Sequence, residues 1–246
     1  MCSVSSETQP TTRMPLLMIQ AADYTRPARL QYMPSNSRCR TVPQSKADIR
    51  RQIRALRDAA PADLRAEWSA RICAKALALP AYRSAQTIHI FLSFQSEVDT
   101  QAIIVHALAC GKRVVAPVFV KGSDETPCAQ ITSLEPSAFD FGRWGLRTPK
   151  VLQLVPPDEI DLVFAPVVAF ACLAPGGGPL QETHKAGVAR IGYGIGFYDR
   201  FLKRVRAGAP KIGLAFELQR VEAIPSAHFD VPLDGVITEA SEYPPG

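Results

Sequence analysis

The 246-residue chain has no Cys-x-x-Cys pair, no His-Glu-x-x-His stretch and no paired histidine spacing. Its six cysteines and four histidines are scattered, which excludes the familiar zinc patterns and a disulfide framework. Cys73 and Cys110 fall on helical stretches among apolar neighbours, where a thiol serves as a small hydrophobe. A reducing compartment, and so a cytoplasmic location, is expected. No apolar run is long enough to span a bilayer, and nothing resembles a secretory core followed by a small-residue cleavage site, so no membrane association is expected. The GxxxxGK[ST] phosphate loop and the dinucleotide GxGxxG are both missing, which argues against a P-loop NTPase and a Rossmann dehydrogenase. A basic stripe interleaved with aromatics is missing too. The net charge is +5, but Arg13, Arg26, Arg29, Arg38 and Arg40 stand against only Glu7 and Asp23 before residue 46, leaving +2 for the rest. A body that close to balance is not that of a dedicated nucleic-acid binder.

What is present falls into two parts. Residues 1–45 mix Ser, Thr, Pro and Arg without a sustained hydrophobic period and read as a disordered tail or an over-long start, with an organelle transit peptide as the alternative. From residue 46 the pattern is regular. "KADIRRQIRALRDAA" sets Ile49, Ile53 and Leu56 on one helical face, and a second helix runs from Pro61 to Pro80. "QTIHIFL" reads as a strand, "DTQAIIVHALAC" as a helix entered at Asp99 and closed by Gly111, and "KRVVAPV" as a strand. The apolar "EIDLVFAPVVAF", a helix over "FYDRFLKRVRAG" and strands "KIGLAF" and "DGVITE" follow. Strands alternating with helices predict an α/β fold, a single three-layer domain over 46–246 with a mostly parallel sheet between helices. Ligands of such sheets bind outside the carboxyl ends of the strands.

The stretch "RIGYGIGFYDRFL" (190–202) is the most informative. Gly192, Gly194 and Gly196 alternate just before a helix, where backbone needing positive φ, or a close approach to the main chain, calls for glycine. A helix start with free amides attracts anions, phosphate above all. Phe197, Phe201, Leu202 and Val205 mark the core face of that helix, and Asp199 lies in its first turn. A carboxylate beside a phosphate implies a bridging cation.

This stretch resembles the R-L-G-x-G-x-G-Y-Y-D signature of the 5-formyltetrahydrofolate cyclo-ligase family. "KADIR", "FLSFQSEVDT" (91–100), "DLVFAP" and "GLAFELQRVEAIPSAHFDVPLDGVITE" (213–239) are similar to further blocks of the family in the same order, covering about 46–239. The resemblance implies an ATP- and Mg²⁺-dependent ligase that closes 5-formyltetrahydrofolate to 5,10-methenyltetrahydrofolate, releasing ADP and phosphate. It implies nucleotide contacts at Lys46 and Arg50 and along Arg190, Ile191, Gly192, Tyr193, Gly194, Ile195, Gly196, Phe197 and Tyr198, with Arg190 and Tyr198 taking part in catalysis. Folate contacts would be Leu92, Glu97, Trp144 and the loop from Tyr193 to Phe197, and the magnesium carboxylates Asp199 and Asp230. A monomer acting on a small molecule is expected, and the rival reading is a weakly active relative that binds nucleotide or folate as a regulatory module. A sugar-phosphate isomerase or CoA-transferase on a similar sheet is a more distant option, which would need no ATP. The chain departs from the pattern at Ile195, where glycine or lysine is usual, at Phe197 for tyrosine, at Thr148 for glutamate, and at 171–189, roughly ten residues longer than the usual short turn. A β-branched Ile195 resists positive φ and carries no charge.

Overall fold

The computed structural model describes residues 45–118, 126–141, 147–173, 187–225 and 227–244. The expectations for the tail, for Trp144 and for most of the 171–189 insertion lie outside the described residues.

Helices α1 (Lys46–Ala59), α2 (Ala62–Ala78) and α3 (Pro80–Ser84) come first, then β1 (Thr87–Ile90), α4 (Gln101–Ala109) and β2 (Arg113–Pro117). β3 (Cys128–Ile131), β4 (Phe139–Phe141), β5 (Arg147–Pro149), β6 (Leu162–Pro166), β7 (Ala169–Cys172) and β8 (Val188–Ile191) follow. The chain ends with α5 (Phe197–Phe201), β9 (Lys211–Leu214), β10 (Gly235–Ile237) and β11 (Glu242–Tyr243). Seven strands form one sheet in the order β11-β10-β9-β6-β1-β2-β3, with β10, β9, β6, β1 and β2 parallel and the two edge strands antiparallel.

β1 and β6 are buried along their whole length, as central strands covered on both faces must be. Alternation along each strand sends Ile88, Ile90, Leu162, Phe164, Val114 and Ala116 into one core with residues of α2–α4. Their neighbours Val163, Ala165 and Val115 join Phe197, Phe201 and Leu202 of the α5 region in a second. Helix α1 packs elsewhere: Ile49 and Ile53 meet Val168, Ala169 and Ile191 in a small third cluster.

Several expectations shift. "EIDLVFAPVVAF" is not one strand. β6 ends at Pro166, and β7 leaves the main sheet to pair antiparallel with β8. Gln219 holds that exit, donating to the carbonyls of Val167 and Val168 while accepting from the Phe216 amide. Helix α4 starts after Thr100 rather than Asp99, whose carboxylate accepts from the Gln101 amide instead. Helix α5 ends at Phe201, because beyond it the Arg204 amide bonds back three residues to Phe201 and the helix tightens into turns. Cys110, expected among apolar neighbours, is exposed at the end of α4, whereas Cys73 is buried as expected. Thr148 on β5 faces Asp140 of β4 across the hairpin, where a glutamate would oppose a like charge.

Candidate active site

Strand β8 ends in the glycine turn, and α1 lies along it. Gly194 and Gly196 have φ of +97° and +69°, the left-handed region that a Cβ disfavours. Gly192 has ordinary φ but no room: a Cβ there would come within 2.6 Å of the Arg190 guanidinium. Ile195 has no positive φ, so the strain expected of a β-branched residue does not arise, and its side chain is 61% exposed.

The basic residues of α1 recur every turn and meet the glycine turn one after another. Ser45 caps the helix, accepting from the Asp48 amide. The Lys46 ammonium pairs with Asp230 and sits 5.6 Å from the Phe229 ring centroid. Arg50 Nε donates to the Gly192 carbonyl at 2.8 Å, and its guanidinium packs against Gly194. Arg190, with a side chain only 3% exposed, donates from Nη2 to Asp199 at 3.0 Å. Burial pushes its pKa down, and Asp199, Tyr198 and Asp230 oppose that, so the cation is sustained by its neighbours. Its Nε is buried without a hydrogen-bond partner among the described residues.

A groove opens beside these groups, walled by Gly194, Ile195, Gly196, Asp199, Arg200, Lys203 and Phe229. The structure brings Lys46, Arg50, Arg190, Gly192, Gly194, Ile195, Gly196, Asp199 and Asp230 to this region. Ile191 and Phe197 are in the cores, and Tyr198 is 7% exposed with its ring beneath Arg190 at 5.4 Å. The side chain of Tyr198 therefore faces inward, its hydroxyl without a hydrogen-bond partner among the described residues, and supports Arg190 from behind rather than reaching the groove.

The loop after β1 carries the second group. Leu92 packs half-buried against the main core. Glu97 Oε2 accepts from the Phe94 amide at 2.9 Å, and the Tyr193 hydroxyl beside the carboxylate favours its charged form. Desolvation pushes the Glu97 pKa up, opposed by Tyr193, the Phe94 amide, Arg57 and Arg54. Tyr193 thus joins the loop after β1 to the glycine turn. Arg57 is a participant the sequence did not single out, since an arginine in the last turn of a surface helix reads as a solvated, dipole-complementing charge. Its spacing from Arg50 and Arg54 along one face was the available signal.

Together these features define an α/β protein with a cationic, glycine-walled groove, suited to an anion such as a phosphate chain. Residues 42–239 match the model of the 5-formyltetrahydrofolate cyclo-ligase family. The 5-formyltetrahydrofolate cyclo-ligase of Haemophilus influenzae is 31% identical over 79% of this chain and 97% of its own length. That of Escherichia coli K12 is 30% identical over 78% of this chain and 98% of its own. The solved structure of Aquifex aeolicus 5,10-methenyltetrahydrofolate synthetase superposes with a TM-score of 0.64 and 25% identity, covering 80% of this chain and 91% of that one. The chain belongs to the 5-formyltetrahydrofolate cyclo-ligase family.

Proposed function

We propose that residues 46–246 form one catalytic domain that converts 5-formyltetrahydrofolate and ATP to 5,10-methenyltetrahydrofolate, ADP and phosphate. The observation that carries this reading is the convergence of the α1 basic face on the glycine turn, with Arg50 bonded to the Gly192 carbonyl and Lys46 on Asp230. A formyl oxygen is a poor leaving group. Phosphorylated by the γ-phosphoryl of ATP it leaves readily as phosphate when N10 attacks the formyl carbon and closes the ring. Such a transfer asks a protein to align the reactants and to neutralise charge on phosphate oxygens.

Lys46, Arg50 and Arg190 bring positive charge to the groove, and the Gly194–Gly196 main chain lets phosphate approach without a side chain between. Tyr198 keeps Arg190 in place by the ring beneath it. Glu97 receives the adjacent N–H donors of the pterin, and Leu92 offers apolar contact beside it.

Asp199 and Asp230 suit magnesium in kind. They are two hard oxygen ligands, and no group of three or more His, Cys, Asp or Glu side chains among the described residues forms a closed cage. Magnesium characteristically takes one or two carboxylates together with substrate phosphates. Bound there, it would shield the charge between the phosphates.

No helix among the described residues is long and apolar enough to cross a membrane. We place the enzyme in the cytoplasm as a monomer without a nucleic-acid partner. Incubation with 5-formyltetrahydrofolate and Mg-ATP should generate the methenyl absorbance and consume ATP, and omission of Mg²⁺ should abolish it. Tight folate or nucleotide binding without turnover would instead favour the regulatory reading.

A further inference from the structure

Arg57 is 1% exposed, yet among the described residues no carboxylate pairs with it directly. Its Nε donates to Ser96 Oγ at 2.9 Å, and Ser96 donates onward to Asp58. Its Nη2 donates to the Tyr193 hydroxyl at 3.0 Å. That hydroxyl, occupied on its acceptor side, directs its own proton toward Glu97, whose charged form it favours. One turn earlier the Arg54 guanidinium lies 5.5 Å from the Tyr193 ring centroid, and its Nε is buried without a hydrogen-bond partner among the described residues. Two arginines of α1 therefore grip the one aromatic residue of the glycine turn.

Burying a guanidinium is costly, and an apolar residue would anchor the helix at least as well. What an arginine adds is a direction. It has no acceptor, so the tyrosine proton must point away from it, and the only place left on that path is a carboxylate offering a lone pair. Such a chain favours the ionised Glu97, because a carboxylate accepts the tyrosine proton more strongly than a neutral acid does. Tyr193 lies between Gly192 and Gly194, so whatever shifts the turn shifts the hydroxyl that Glu97 depends on.

We propose that Arg57 is a positioning residue: through Tyr193 it holds Glu97 charged and oriented for the pterin, and so couples folate capture to the shape of the nucleotide turn. The inference rests on Glu97 being the folate carboxylate. The charged and titratable groups facing Glu97 are Arg54 and Arg57 of α1 and Tyr193, with Tyr198 of α5 in electrostatic reach. Burial favours the neutral acid there, so a broken relay lets Glu97 take up a proton at higher pH.

The test is steady-state kinetics of the full chain against both substrates across pH, for wild type, Tyr193→Phe, Arg57→Met, Arg57→Lys and Glu97→Gln, with thermal unfolding alongside. Tyr193→Phe and Arg57→Met should raise the folate KM roughly ten- to hundredfold, the range for losing a charge-assisted bond. kcat and the ATP KM should change far less, and the acid limb of kcat/KM for folate should move to higher pH. Arg57→Lys, which keeps the charge, should recover much of that limb. Should Arg57→Met fail to fold, Tyr193→Phe removes the same link by deleting one oxygen. If the variants lower only thermal stability and leave the folate KM and acid limb unmoved, the relay is overturned. If Glu97→Gln leaves the folate KM unmoved, the folate assignment of Glu97 itself falls. A rise with Glu97→Gln but none with Tyr193→Phe overturns the relay alone.

Discussion

Gly194 and Gly196 hold backbone angles at which an L side chain costs about 1–2 kcal/mol, and at Gly194 an added methyl would also press on the Arg50 guanidinium at 3.3 Å. Gly194→Ala should therefore lower stability by that order and raise the ATP KM, measured by thermal unfolding and initial rates. Asp199 has two tasks to separate. Asp199→Asn keeps an oxygen for Arg190 and should leave unfolding nearly unchanged while turnover disappears. Asp199→Ala leaves a guanidinium only 3% exposed without its acceptor and should in addition cost about 1–3 kcal/mol. Ile195 is open to the groove and unstrained, so Ile195→Lys should alter stability by no more than about 0.5 kcal/mol. It should also lower the ATP KM by supplying a charge to the groove. An unchanged or higher KM would exclude the proposed position of the phosphates.

Among the elements, α1 rests on a small apolar patch and reaches the site through long polar side chains. Ile53→Ala should cost about 2–5 kcal/mol, and because the same helix carries Lys46 and Arg50, the ATP KM should rise with it. A core substitution on α4 of equal cost, such as Ile103→Ala, should not have that second effect. The elements also show which information is local. The period of Ile49 and Ile53, the alternation in the strands and the left-handed glycines are written in neighbouring residues, and these were legible. The break between β6 and β7 was not. "LVFAPVVAF" is apolar throughout, and the carbonyls freed at the break are satisfied by Gln219, some fifty residues onward. The burial of Arg57 is hidden for the same reason: its partners Ser96 and Tyr193 are 39 and 136 residues away.

For the molecule as a whole, a buried base and a partly exposed acid both bear on the response to acid. His89 on the central strand is fully buried, ring to ring with Phe201 at 4.4 Å, and neither ring nitrogen has a partner among the described residues. Burial pulls its pKa down to about 3 from the ordinary 6.5. The folded chain thus keeps His89 neutral while the unfolded chain takes up a proton, and stability declines as pH falls below 6.5. Asp161 moves the same way at lower pH. Burial works against its charge, but the Thr87 and Gln86 amides and Arg206 outweigh it and hold its pKa below 3.8, so its contribution is lost only beneath that value. Thermal midpoints of His89→Leu should be flatter than wild type from about pH 6.5 down to pH 4, and the two should converge in slope only as the pH falls through about 3. Parallel slopes through the upper window would mean that the imidazole is reached by solvent.

The seating of the first helix bears on how the enzyme would wear out. Its footing is Ile49 and Ile53 set against Val168, Ala169 and Ile191 at a hairpin that stands apart from the seven-stranded scaffold. Peeling it away would strip the cationic wall and leave the remainder upright, so gentle heating or limited proteolysis should silence turnover well before circular dichroism registers any melting.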